Sequence, residues 1–416
     1  MSGASSSNEE WPDIKMSGTV GNLNPNQETA LHRLKELTSD RHKHNYDDYY
    51  YLRWLRARDF DVSKAVSMMQ KNISFRKKIG ADTILTDYKP PELIEKFYPR
   101  GYLGPDKEGC PVRFMPFKNL DLRGFVYSVK KSDVLKFLTF LFEQDIKEME
   151  EMSKKLGRVI EKHSYIIDMD GYSFRQASNR DALKMFNEVL KLYEAHYPER
   201  MKICYFINAP IYFNFILNLS KPFLSDATIN KFRIFGKSRM DEFSRTILND
   251  MDAELVPKFL GGNRTDPDGN ELCHSCINYG SMIPTECYNL KKSIQSLEEQ
   301  EGVTSLKVSR SSFRLIEIEV PVANSKVEWF FETAEKDIAV GFYYRSQMEE
   351  DEELIPPERV SSHLVPESGA FVCEKAGIYA LKFDNTYSWL STKRVFYKIK
   401  VIKPEEEDEA SIQDID

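Results

Sequence analysis

The apolar and polar positions divide this chain into three textures. Between residues 26 and 80 apolar residues recur at helical spacing. Asn26 is placed to cap a helix through Leu37. The segment DDYYYLRWLRAR, from Asp47 to Arg58, brings Tyr51, Leu52, Trp54 and Leu55 near one helical face. Asp61 caps a further helix in which Ala65, Met68, Met69, Ile73 and Phe75 recur, and Gly80 closes it beside Lys77 and Lys78. Pro90-Pro91 opens the second texture, 90–262, in which short continuous apolar runs alternate with helices. Strands are expected at 112–117, 164–167, 203–207 and 232–235. Ser132 is placed to cap one helix, Asn179 caps another running to His196, and a third covers 240–249. Continuous apolar strands separated by helices predict an α/β domain with a mostly parallel sheet. After a linker at 263–282 the helical period is lost. Runs such as SSFRLIEIEV, KVEWFFET and KRVFYKIKVI predict an all-β, jelly-roll-like sandwich over 283–403. A Ser- and Gly-rich leader (1–25) and an acidic tail (404–416) flank the three.

One stretch stands apart from its neighbours: residues 196–236, HYPERMKICYFINAPIYFNFILNLSKPFLSDATINKFRIFG. A buried-strand run ends at Asn208-Ala209-Pro210. A segment from Ile211 to Leu224 follows that is apolar on almost every side, with Asn214, Asn218 and Lys221 on one helical face. A short helix ending at Lys231 leads into the next strand. A helix this apolar must be buried or must face something equally apolar.

Composition supports real cores: 41% of residues are hydrophobic and 12% aromatic. The six scattered cysteines predict a reducing compartment without disulfides. The first residues carry no basic and apolar signal pattern, and no run approaches the ~18 apolar residues of a membrane span. The expected location is cytoplasmic, with peripheral membrane contact. The net charge of −7 is set by the tail, whose seven acidic residues leave residues 1–403 neutral. Within 196–236, Arg200, Lys202, Lys221, Lys231 and Arg233 oppose Glu199 and Asp226, an excess of three positive charges. A basic, apolar segment in a neutral body suits an anionic membrane better than nucleic acid.

Catalytic signatures are missing: there is no G-x-S-x-G, P-loop, G-x-G-x-x-G or H-E-x-x-H. Asp168 and Asp170 form a carboxylate pair on paper, but beside Gly171 they read as a turn. Cys273-His274-Ser275-Cys276 has zinc-like ligand types, yet no second C-x-x-C completes a site, so no metal or cofactor is expected.

The order of YLRWLRARDFDVSKAVSMM, HYPERMKICYFINAP, SKPFLSDATINKFRIFG and FLGG closely resembles the CRAL-TRIO lipid-binding family. KVEWFFET, GIYALKFDNTYSW and KRVFYKIKV resemble a GOLD domain. The likeness covers about residues 26–403. It implies a non-enzymatic carrier of phosphatidylinositol, another phospholipid, or a tocopherol- or squalene-like isoprenoid. It also implies a hydrophobic pocket between a sheet floor and a mobile gate helix, here about 213–231, with Phe213, Phe215, Ile216 and Phe223 as lid or membrane-facing side chains. On the floor, Tyr165, Ile167 and Tyr205 are candidate lining residues. The family's headgroup site falls on Glu199, Thr228 and Lys231: Lys231 would neutralise a phosphate, Thr228 would donate a hydrogen bond to it, and Glu199 would accept from inositol hydroxyls. The alternative is a membrane-sensing scaffold whose GOLD domain recruits a protein partner.

Overall fold

The computed structural model describes residues 18–38, 46–288, 301–346, 350–360, 362–363 and 366–404, and of Phe215 the backbone alone. Most of the leader, nearly all of the acidic tail and part of the acidic loop at 349–353 therefore lie outside the described residues. The chain forms two compact units, Met1–Asp82 with Ala195–Arg200, and Thr83–Glu194 with Met201–Asp416.

The first unit is built from helices Pro25–Thr38, Asp48–Arg56 and Val62–Ile79. They bury Leu34, Leu52, Leu55 and Ala65 completely. The Asp47 and Asp61 carboxylates accept from the amides of Tyr50 and Lys64, satisfying donors that the first helical turn leaves free. Gly80 ends the third helix at φ 73°, the left-handed conformation in which glycine has no Cβ penalty. The first helix starts earlier than its sequence suggests. Asn24, not Asn26, is the cap: its side chain accepts from Gln27 N at 2.9 Å while Gln27 Oε1 accepts from Asn24 N at 3.0 Å. Pro25 then occupies the first turn, where no amide is needed. Ile73, expected in the core, is 36% exposed.

The second unit contains a mixed six-stranded sheet: β1 (Arg100–Pro105), β2 (Pro111–Pro116), β3 (His163–Asp168), β4 (Met201–Ala209), β5 (Phe232–Gly236) and β6 (Ile277–Asn278), in the order β5-β4-β3-β2-β1-β6. The four strands expected from apolar runs, β2 to β5, are mutually parallel, because a helix connects each to the next. Helix Lys131–Leu156 begins without a side-chain cap, and Ser132 lies within its first turn. Asn179 does cap helix Arg180–His196, accepting from Ala182 N at 3.0 Å. Asp168 serves the turn, as its sequence suggests, accepting from Asp170 N at 3.0 Å and from Asn208 Nδ2 at 2.9 Å.

The antiparallel edge, β1 and β6, is not visible as an apolar run. Gly101 makes the β1–β6 approach possible: a Cβ there would stand 2.9 Å from Ile277 Cγ1. Residues expected to form a free linker thus pack on the sheet domain, with Cys273, Ile277 and Ile283 buried and Ile283 N donating to Asp121 Oδ2.

The C-terminal sandwich has two antiparallel sheets. Its strands are β7 (Thr304–Val308), β8 (Phe313–Val320), β9 (Ser325–Thr333), β10 (Ile338–Tyr344), β11 (Glu352–Val360), β12 (Glu367–Cys373), β13 (Gly377–Asp384) and β14 (Lys393–Ile402). Strand β9 alternates strictly, with Ser325, Val327, Trp329, Phe331 and Thr333 turned inward. The sandwich is tied to the sheet domain by Glu367, whose buried carboxylate accepts from Arg123 and Arg175, each at 2.8 Å.

Candidate functional site

The central strands have two unlike faces. Register sets Phe114 beside Ile166 and Ile166 beside Tyr205. This face is closed: Phe114, Ile166, Tyr205 and Ile207 are at most 2% exposed, and Phe243, Ile247 and Met251 of helix Met240–Asp250 back it. The other face carries Met115, Tyr165, Ile167 and Phe206, and every one of them is only half-buried. Its opposing wall is half-buried too: Leu141 and Phe142 of helix Lys131–Leu156, Phe186 and Val189 of helix Arg180–His196, and Ile216 and Leu217 of helix Phe213–Ser220. Apolar side chains that retain exposure on both walls inside a domain line a space, since close packing would have buried them.

This arrangement corrects one expected lining residue. Tyr205 lies on the closed face, its hydroxyl bonded to Asp250. Its neighbour Phe206 takes the place beside Tyr165 and Ile167.

A cavity of about 370 Å³ lies at the β1–β3 end of the open face. Tyr165 lines it, together with Met115, Leu138, Leu141, Phe142 and Ile277. Neither Ile167 nor any residue of 211–224 lines it, so this cavity sits to one side of the expected gate. Its polar patch is internally satisfied. Arg113 Nε donates to Asp145 Oδ1 at 2.5 Å and its Nη2 reaches Glu148 at 2.8 Å, while the Tyr165 hydroxyl points to Asp145 Oδ2 at 3.4 Å. Burial raises the Asp145 carboxyl, against the pull of Arg113. Burial and the neighbouring Asp145 push the Tyr165 phenol well above its usual value, so it stays a neutral hydroxyl.

The apolar segment after β4 forms helix Phe213–Ser220 and a 3₁₀ turn, Lys221–Phe223. Phe213 is buried, with its ring 4.8 Å from Phe206, and Ile216 packs on the same cluster, so both side chains face the sheet. The Phe223 ring lies 4.8 Å beneath the Lys191 ammonium. The Phe215 side chain lies outside the described residues. Among the described side chains of the segment, Ile211 at its start is fully exposed, and the pattern did not single it out.

The three expected headgroup residues have partners that the sequence did not suggest. Glu199, in the first unit, adopts φ 57° and is nearly buried against Arg56, 3.8 Å from its Nε. Thr228 and Lys231 belong to the second unit. Ser225 caps helix Asp226–Ile229. The Thr228 hydroxyl donates to Glu194 Oε1 at 2.5 Å, and the Lys231 amide donates to the Thr228 carbonyl. Glu194 and Arg56 have no local signal, because nothing near them in sequence indicates their partners.

The sheet thus has one closed face and one apolar face bordering a cavity, the kind of concave apolar surface on which ligand sites are built. Residues 95–262 match the CRAL/TRIO domain model, and residues 26–71 match that of the CRAL/TRIO N-terminal domain. The chain belongs to the CRAL-TRIO family, whose domains bind and transfer lipids and are typically carriers rather than enzymes. It is 30% identical over 336 residues to "Protein real-time" of Aedes aegypti, covering 78% of this chain and 50% of that protein. It is 29% identical over 340 residues to the CRAL-TRIO domain-containing protein T23G5.2 of Caenorhabditis elegans, covering 79% of this chain and 45% of that one. The chain thus spans about half the length of these curated relatives. Among solved structures, that of Sfh5 has a TM-score of 0.42 at 15% identity, covering 53% of this chain and 84% of that one, too slight a likeness to bear on the ligand. The C-terminal antiparallel sheets are compatible with a GOLD domain.

Proposed function

We propose that this chain extracts a lipid from one membrane, carries it against the open face of its sheet, and releases it to another. The observation that supports this reading is the half-exposed apolar lining on both walls of that face. Each methylene hidden from water is worth ~0.8 kcal/mol, so an acyl or isoprenoid chain crosses water readily only inside equivalent hydrocarbon surface. Helix Phe213–Ser220 supplies that surface as a lid, with Phe213 and Ile216 turned in and Ile211 turned out. Outward movement of this helix would expose the same side chains to a bilayer, and the basic excess of 196–236 would hold it against anionic lipid.

A cavity of about 370 Å³ is at the small end of ligand sites, which run to roughly 1,000 Å³. It suits an isoprenoid with a single hydroxyl held near Tyr165. A two-chain phospholipid requires the lid to move. For phosphatidylinositol we assign Lys231 and Thr228 to the phosphate. Each must then exchange a partner it already has.

Native mass spectrometry of the purified protein should show a bound lipid, and a vesicle assay should show its transfer. Lys231→Ala should lower phosphatidylinositol transfer about tenfold while leaving isoprenoid transfer unchanged. Equal transfer of phosphatidylinositol by this variant would remove the headgroup assignment. An empty protein that moves no lipid would remove the carrier reading.

A further inference from the structure

The sandwich carries an exposed apolar tip of its own. In the connection between β13 and β14, Trp389 is 80% exposed and Leu390 91% exposed. Phe313, at the start of the neighbouring strand β8, is 44% exposed. Isolated exposed apolar residues are common, but adjacent Trp and Leu side chains standing almost entirely in water are costly to keep there without a purpose.

The loop that carries them is firmly anchored. Asn385 is wholly buried at its base, and its Nδ2 donates to the carbonyls of Val308, Ser309 and Ser391. Ser388 O accepts from Ser311 N at 2.9 Å. The Tyr387 hydroxyl donates to Asp337 O, and the Arg359 guanidinium covers the Tyr387 ring at 4.1 Å. Lys336 Nζ donates to Ser391 Oγ at 2.8 Å. The two apolar side chains are therefore presented from a braced turn, and little ordering entropy is lost when they enter another phase.

The surroundings are predominantly basic. In the loop with its flank, 385–394, and in the two segments joined to it by hydrogen bonds, 307–314 and 334–337, the exposed charges are Lys307, Arg310, Arg314, Lys336 and Arg394 against Glu335. Asp337 is engaged by Arg359 and Lys393. Tryptophan favours the interface between headgroups and acyl chains, leucine the hydrocarbon beneath it, and lysine and arginine the phosphates beside it. We propose that the Asn385–Thr392 turn is a membrane-inserting tip, that Trp389 and Leu390 enter the outer layer of an anionic bilayer, and that the basic rim contacts its headgroups. This is a second point of membrane contact, on the sandwich instead of the lid, and it does not depend on the carrier reading.

The full chain is incubated with phosphatidylcholine vesicles, with and without phosphatidylserine, and the bound fraction is read by sedimentation. Trp389→Ala/Leu390→Ser should reduce binding about tenfold or more while Tm is unchanged, because both side chains are already exposed. Arg310→Glu/Arg314→Glu should remove most of the gain due to phosphatidylserine. Of the four tryptophans, Trp389 should account for the blue shift of emission on vesicle addition, and Trp389→Phe should abolish that shift. Absence of vesicle binding by the parent chain overturns the proposal. So does unchanged binding by the double variant, or a blue shift that survives Trp389→Phe. Loss of a protein partner without loss of vesicle binding would likewise assign the tip to a protein contact.

Discussion

The two faces of the central sheet are made of the same strands and nearly the same amino acids, yet they solve different problems. Phe114, Ile166, Tyr205 and Ile207 are sealed against helix Met240–Asp250. Met115, Tyr165, Ile167 and Phe206 alternate with them and stay half-open. One face holds the fold together, and the other keeps apolar surface in reserve. Packing accounts for the contrast: a single amphipathic helix lies flush on the first face, while two long helices and the short helix Phe213–Ser220 surround the second without filling it. Surface left unfilled costs dispersion and transfer energy that a ligand can return.

The largest test removes a side chain from the closed face. Phe114→Ala deletes a ring that is wholly buried and edge-on to Phe259 at 5.6 Å. It should cost about 3–5 kcal/mol in denaturant unfolding, with or without lipid. A cost below about 1 kcal/mol would show this face to be no better packed than its opposite.

Ile167 gives the complementary test. As a half-buried residue in the lipid-free protein, Ile167→Ala should cost only about 1–2 kcal/mol. The penalty should grow once lipid is bound, because the side chain then has partners on its open side. An equal penalty in both states would count against this face as a lipid floor.

The smallest effect is expected away from the sheet, in the helical unit. The His196 ring stacks on Phe75 at 3.8 Å, and Asn72 Nδ2 donates to its carbonyl at 3.2 Å. Burial, reinforced by Arg76, pushes its pKa down to about 4 from 6.5. The folded state therefore binds this proton less readily than the unfolded state does. Stability should be constant above pH 6.5 and should decline as pH falls from about 6.5 towards about 4. His196→Gln should flatten that part of the stability profile, leaving the Phe114 and Ile167 comparison unchanged. A slope that persists in His196→Gln would assign it to other groups.

The expected elements and the structure disagree where a local rule has a near-equal competitor. Asn24 and Asn26 are both good caps, and the proline between them decides for Asn24. Ser132 looks like a cap but falls inside the helix, because the first turn closes on Lys130, two residues earlier on the chain. Strands β1 and β6 were unreadable. RGYLGP holds two glycines and a proline, and a two-residue strand has no pattern of its own. Their pairing depends on the absent side chain of Gly101, a fact about space and not about propensity.

The expected site was legible in its ingredients and not in its pairings. The helix Phe213–Ser220, its apolar character and the strand on either side of it follow from the residues of 196–236. The partners of the headgroup candidates do not. Glu194 meets Thr228 across 34 residues and Arg56 meets Glu199 across more than a hundred, and each is an ordinary charged residue in its own stretch.

By itself the sequence determined the three textures, the parallel run of β2 to β5, the apolar helix after β4 and the alternation of the sandwich strands, since these depend on period, caps and turn residues. It also determined that Tyr165 and Ile167 share a face, because side chains in a strand alternate with a period of two. Only the tertiary structure decided which face was open, and that Phe206 and not Tyr205 joins them there. A strand buried on both sides is apolar at every position. Its pattern carries the period but not the phase, and the phase is set by the helices that pack on either side.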